Sequence, residues 1–138
     1  WFAFGRTQSL RVNSFKLFYP KIASKQIRCC ISEDCDLLFY NGQAFLSANR
    51  LELEFIKRIL ESSLFSLYVT MTSKPYSSGY YSLNGTYIKN FSIPEEVLKQ
   101  KEWIVKQSQS KVDEFLKKVV ISYLEPAQTQ KLLNLLKA

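Results

Sequence analysis

Residues 36–68 read DLLFYNGQAFLSANRLELEFIKRILESSLFSLY, and a change of rhythm inside this stretch decides the fold. Two apolar runs, DLLFY and QAFLS, flank Asn41-Gly42. Both turn residues tolerate the positive φ angles of a type I′ turn, so a β-hairpin is expected here. From Asn49 onward the period lengthens. Leu51, Phe55, Ile59, Leu60, Leu64, Leu67 and Tyr68 recur at helical spacing, while Glu52, Glu54, Lys57, Arg58 and Glu61 fill the other face. The pattern predicts a helix from about Asn49 to about Met71, with Asn49 or Ser47 able to cap its start.

Upstream, FKLFYPKI is a β-prone run interrupted by Pro20, and KQIRCCIS is another. Successive strand residues point to opposite faces, so of Cys29 and Cys30 one is expected in the core and the other outside it. Downstream, Pro75 and Gly79 break the helix within the polar loop TSKPYSSG, and Asn84-Gly85 supplies a turn. Tyr87, Ile88 and Phe91 then fit a short turn of helix anchored on the core. Ile93-Pro94 closes that element and opens the next, because the residue before proline avoids helical geometry and proline suits a first helical turn. EEVLKQKEWIVKQ and QSKVDEFLKKVVISYLE read as helices, the second ended by Pro126, and AQTQKLLNLLKA as a last short amphipathic one. The expected architecture is α+β, a small antiparallel sheet followed by helices, with residues 1–96 as a core and 97–138 as a helical extension of the same domain.

At 138 residues the chain fits one domain that buries about two thirds of its unfolded surface. Its 46% apolar content suits a globular core. No run approaches the roughly 18 apolar residues of a membrane span, and neither a span nor a signal peptide is expected. The sequence opens with WFAFGR, inside an apolar run and without Met, as expected of a piece of a longer protein.

Histidine is absent, which removes Ser-His and Cys-His pairs and the usual acid-base residue near neutral pH. Gly5, Gly42, Gly79 and Gly85 are too scattered for a glycine-rich phosphate cradle. Cys29, Cys30 and Cys35 lack paired metal spacing and would need Asp34 or Asp36 as a further ligand, so thiols idle in a reducing cytosol are expected and no metal. Glu33-Asp34 suits a loop, and Glu95-Glu96 suits a helical first turn after Pro94. A binding role is expected of this chain rather than catalysis.

Nineteen Lys and Arg against twelve Asp and Glu give a net charge of +7 and a pI near 9.3, which favours a polyanionic partner. Residues 1–30 carry Arg6, Arg11, Lys16, Lys21, Lys25 and Arg28 and no acid. A one-sign arm of this kind suits tracking phosphates.

The order of segments then matters more than any one of them: FGRTQSL, Pro20-Lys21-Ile22, a hairpin, FIKRILESSLFSLYV, SSGYYSL, TYIKNFSIP and a charged helix. This order resembles the target-recognition region of adenine-specific DNA methyltransferases and fused restriction-modification enzymes with a TaqI-like C-terminal specificity domain. The resemblance covers residues 1–96 and rests on Pro20-Lys21-Ile22, the run 59–64, Gly79-Tyr80-Tyr81 and Ile93-Pro94. Glu61 departs from it, standing where that family has asparagine. The Asp/Asn-Pro-Pro-aromatic tetrapeptide and the cofactor-binding glycine motif are not in this sequence. The resemblance implies a bacterial, cytoplasmic enzyme whose catalytic domain, expected upstream, binds S-adenosylmethionine; this chain would bind no cofactor itself.

Under that reading the partner is double-stranded DNA. Arg6 and Gln8, in a Gly-Arg-x-Gln run that the resemblance places beside the duplex, are expected to contact it, together with Arg11 of the basic arm and Lys21 at a strand end. Lys74, Tyr76, Ser77, Ser78, Tyr80 and Lys89 are cationic, hydroxylic or aromatic residues that core packing does not explain, and they are expected to meet phosphates or base edges. Two other readings stay open: a recognition domain of a multisubunit restriction specificity subunit, and a protein-interaction module with incidental charge.

Overall fold

Pro20 divides the FKLFYPKI run between two sheets, because proline cannot donate to a ladder and fixes its own φ. The computed structural model describes residues 14–24, 26–37, 43–77 and 79–137. Its first strands are β1 (Phe15–Tyr19), β2 (Ile22–Ala23), β3 (Cys30–Ser32) and β4 (Gln43–Ser47). β1 is the central strand of an antiparallel sheet in the order β3-β1-β4, with Leu17 opposite Ile31 on one side and Phe45 on the other. β1 and β3, joined through residues 20–29, form a hairpin of the first half. The Asn41-Gly42 turn lies outside the described residues, and the strand that follows it, β4, pairs with β1. β2 pairs instead with β5 (Tyr81–Ser82), Ile22 opposite Ser82 and Ala23 opposite Tyr81. The fold is α+β: a small antiparallel sheet with helices after it.

Alternation along β1 sends Leu17 into the core, flanked by half-buried Phe15 and Tyr19. Lys16 points the other way and is still only 1% exposed. Its ammonium donates to the carbonyls of Ser14 at 3.1 Å and Cys35 at 2.5 Å, which replace lost water. Where β3 begins, Cys29 is buried and Cys30 exposed, as the sequence leads one to expect.

The helical pattern after residue 49 divides where the sequence predicts continuity. α1 (Arg50–Leu60) starts at Asn49, whose side chain accepts from the Leu51 amide, while Ser47 Oγ donates to Glu52 at 2.7 Å. Glu61 caps its C-terminal end, and α2 (Ser63–Thr72) begins two residues later, with Ser62 as its N-cap. At the joint, Ser62 turns extended (φ −75°, ψ 151°). Its hydroxyl donates to the Ile59 carbonyl at 2.6 Å and accepts from the Phe65 amide at 3.2 Å. Glu61 Oε1 accepts the Cys29 amide at 2.8 Å, tying the joint to the approach to β3.

α1 lies between two cores. Leu53 and Leu60 pack with Leu17, Ile27, Phe65 and Val69, whereas Phe55 and Ile59 pack with Val97, Ile104, Val112 and Leu116. The second set comes from α4 (Glu95–Lys99), α5 (Lys101–Lys106) and α6 (Gln109–Ile121), which follow the short α3 (Gly85–Lys89) and precede α7 (Pro126–Lys137). Asn84 caps α3 rather than forming a free turn, and Pro94 sits at the N-cap of α4, one position before the first turn. EEVLKQKEWIVKQ breaks at Gln100 into α4 and α5. Pro126 is the first residue of α7, and α6 has already ended at Ile121.

α6 reaches back to the α1–α2 joint with two residues one turn apart. Gln109 Nε2 donates to the Arg58 carbonyl at 3.0 Å, and Asp113 Oδ1 accepts from the Ser63 amide at 2.8 Å and the Ser63 hydroxyl at 3.2 Å. One end-group of each broken helix thus gains a partner from a third. Asp113→Ala is expected to lower stability to urea by about 1 kcal/mol, the usual cost of a lost helix cap, whereas Asp113→Asn, still an acceptor, retains most of it.

Burial, reinforced by the Glu61 charge against a weaker pull from Lys57, pushes the Cys29 thiol up to about 12. The fold therefore favours the protonated thiol. That contribution is fully present below the unfolded value, near 9, and is lost as pH rises toward about 12. Iodoacetamide at about pH 8 is expected to label exposed Cys30 far ahead of Cys29. Between about pH 8 and pH 11, Cys29→Ala is expected to lose less stability in urea melts than the parent chain.

Candidate nucleic-acid interface

The β2–β5 ladder assembles the surface. Beyond its strand pairs, the Leu83 amide donates to the Lys21 carbonyl at 2.8 Å, which seats Pro20-Lys21-Ile22 directly beside residues 81–83. On the far side of β5 the chain folds back as a narrow ribbon. The Ser82 amide donates to the Lys74 carbonyl at 3.1 Å, Pro75 bridges Tyr81, and the Tyr76 amide donates to the Tyr80 carbonyl at 2.7 Å. The segment TSKPYSSG, read in the sequence as a polar connector, thus supplies one side of a ribbon in which residues 74–76 lie against residues 80–82. Gly79 takes φ +78°, a left-handed value that glycine adopts without cost, and the Tyr80 amide closes the turn on the Ser77 carbonyl at 3.2 Å.

A tyrosine missed as a site residue fixes the foot of this ribbon. Tyr87, in α3, accepts the Lys74 amide on its hydroxyl at 3.2 Å, and its carbonyl accepts from the Tyr68 hydroxyl at 2.9 Å. Residue spacing identifies Tyr87 only as a core anchor, because its partner lies thirteen positions away on another element. Behind it, Phe91 meets Phe65 edge-on at 5.0 Å between ring centroids. The ribbon therefore stands on a packed aromatic base.

Of the residues singled out in the sequence, Lys21, Lys74, Tyr76, Ser77 and Tyr80 converge on the ladder and its ribbon, and all are exposed. Tyr76 is 66% exposed and Tyr80 44%. Lys89 is exposed at the end of α3, two residues beyond Tyr87. Arg6, Gln8, Arg11 and Ser78 lie outside the described residues. The convergent groups offer ammonium, hydroxyl and aromatic surface and no carboxylate, a set that can neutralise phosphates and donate hydrogen bonds.

Elsewhere the chemistry differs. A cavity of about 340 Å³ lies between α2, residues 91–94, α6 and α7, and Ile93 and Pro94 help to line it. Its walls carry no charged side chain, so it does not suit a polyanion. Among the described residues no cluster of three or more His, Cys, Asp or Glu could hold a metal ion, and no helix is long and apolar enough to cross a membrane.

Tyr87→Phe removes the acceptor of the Lys74 amide, and that amide is expected to exchange with deuterium about fivefold faster, for a hydrogen bond of about 1 kcal/mol. An unchanged exchange rate would show that the hydroxyl does not hold the ribbon. In comparisons with known proteins, no family model, no curated protein and no solved structure matches this chain.

Proposed function

We propose that the chain is a sequence-specific double-stranded DNA recognition domain of a bacterial, cytoplasmic N6-adenine DNA methyltransferase or fused restriction-modification enzyme. In this reading the chain binds and does not catalyse. Methyl transfer from S-adenosylmethionine belongs to a covalently linked methyltransferase domain, which flips and modifies the adenine. The single observation that carries the reading is the exposed ribbon of Lys74, Tyr76, Ser77 and Tyr80 seated by backbone pairing beside Lys21, on a chain of net charge +7. Two of the segments on which the resemblance rests, Pro20-Lys21-Ile22 and Gly79-Tyr80-Tyr81, meet in this one ladder, which supports reading them as a unit. Lysines grip the backbone, and hydroxyls and rings at the tip approach base edges.

A second reading, a protein-interaction module, draws on the other half of the chain. Trp103 is 40% exposed and stands edge-on to Phe115 at 5.2 Å, and Leu98 and Tyr123 are exposed as well. Exposed aromatic and aliphatic surface of this kind suits a protein contact.

A salt titration separates the two. The DNA reading expects the logarithm of the affinity for duplex to fall linearly with log salt, at a slope near 0.9 per phosphate contacted. Lys74→Ala is expected to reduce that slope by about one contact and to weaken binding uniformly across sequences. No detectable duplex binding at low salt would favour the protein-interaction module.

A further inference from the structure

Tyr76 and Tyr80 oppose each other across the ribbon, the Tyr76 amide bonded to the Tyr80 carbonyl at 2.7 Å. Residues directly opposed in an antiparallel pair project to the same face. Tyr76 and Tyr80 both count among the exposed large apolar side chains, Tyr76 the more so, although each would gain from burial, so folding does not account for their placement. The ribbon is also held stiffly at its foot by the Ser82–Lys74 bond and the Tyr87 hydroxyl. Its tip is slender: a Cβ at Gly79 would meet nothing within 4 Å. A tyrosine, with few rotatable bonds, presents an aromatic face at low entropic cost.

In a paired duplex the faces of the bases are covered by their neighbours, and an approaching ring meets only edges. A ring gains face contact only with a base that has left the stack, and such stacking tolerates any base. Resting on the DNA reading above, we infer that the Tyr76–Tyr80 pair is a stacking platform for an unstacked base, so that the domain prefers duplex in which a base is extrahelical. The lysines grip the backbone nearby, and the hydroxyls of the two tyrosines are dispensable to this preference.

The test compares a fully paired duplex with the same duplex carrying a single bulged 2-aminopurine, each titrated with the full chain at low salt. The bulged duplex is expected to bind about tenfold more tightly, with its 2-aminopurine fluorescence quenched by stacking. Tyr76→Phe/Tyr80→Phe keeps that preference, and in Tyr76→Ala/Tyr80→Ala the ratio of the two affinities falls to about one. Both variants change exposed positions, and matching thermal melts verify their folds. Equal affinity for the two duplexes, or a preference that survives in the double alanine variant, overturns the inference and leaves DNA recognition standing. Failure to bind either duplex overturns both.

Discussion

The short antiparallel pairing of Ile22 and Ala23 with Ser82 and Tyr81, extended by the Leu83 to Lys21 backbone bond, is the constraint on which the rest depends. It joins segments about sixty residues apart in sequence. Without it, residues 74–80 would be a connector tethered at its ends, and Lys21 would belong to the end of the first sheet. With it, the chain gains a ribbon whose foot is anchored on Tyr87 and whose tip projects two tyrosines into water. Two strand residues on each side are a modest ladder, so its persistence depends on what lies behind it. Ala23 and Leu83 are buried in the same cluster as Leu17, Phe65 and Val69, and burial rather than the hydrogen bonds alone fixes the register.

The second constraint is the joint between α1 and α2. A chain that ran straight through Ser62 would carry α2 away from the sheet; the break returns Phe65 and Val69 to the first core while Phe55 and Ile59 stay with the second. Two of its end-groups find partners in Gln109 and Asp113 from α6, and the Glu61 carboxylate beside it accepts the Cys29 amide. The sheet, the broken helix and the C-terminal helices are thereby interlocked. The joint also bears on the aromatic base of the ribbon, since Phe65, just beyond Ser62, is the residue that Phe91 meets.

How much of this was legible in the sequence follows from the range of the forces involved. Period and composition report local burial, so the α+β order, the Asn49 cap and the opposite fates of Cys29 and Cys30 could be read directly. The break at Ser62 could not, because the apolar stripe continues across it and the stabilising partners Gln109 and Asp113 lie about fifty residues away. Residues 74–80 show the same limit. Their composition marks an exposed polar loop, but its shape as a ribbon depends on backbone bonds between Tyr76 and Tyr80 and on a distant tyrosine hydroxyl. Lys16 is the sharpest case. A lysine in the basic N-terminal third reads as a phosphate contact, yet it is buried against backbone carbonyls and contributes no surface charge.

The proposed function requires the ladder-borne ribbon to be the part of this molecule that meets a double helix. Amide spectra of the nitrogen-15-labelled chain, recorded as duplex is added at low salt, test it most directly. Resonances of Lys21, Lys74, Tyr76, Ser77, Gly79 and Tyr80 are expected to shift first and furthest while those of α5, α6 and α7 stay in place. Shifts concentrated around Trp103 and the C-terminal helices, or no shifts at all, would contradict it.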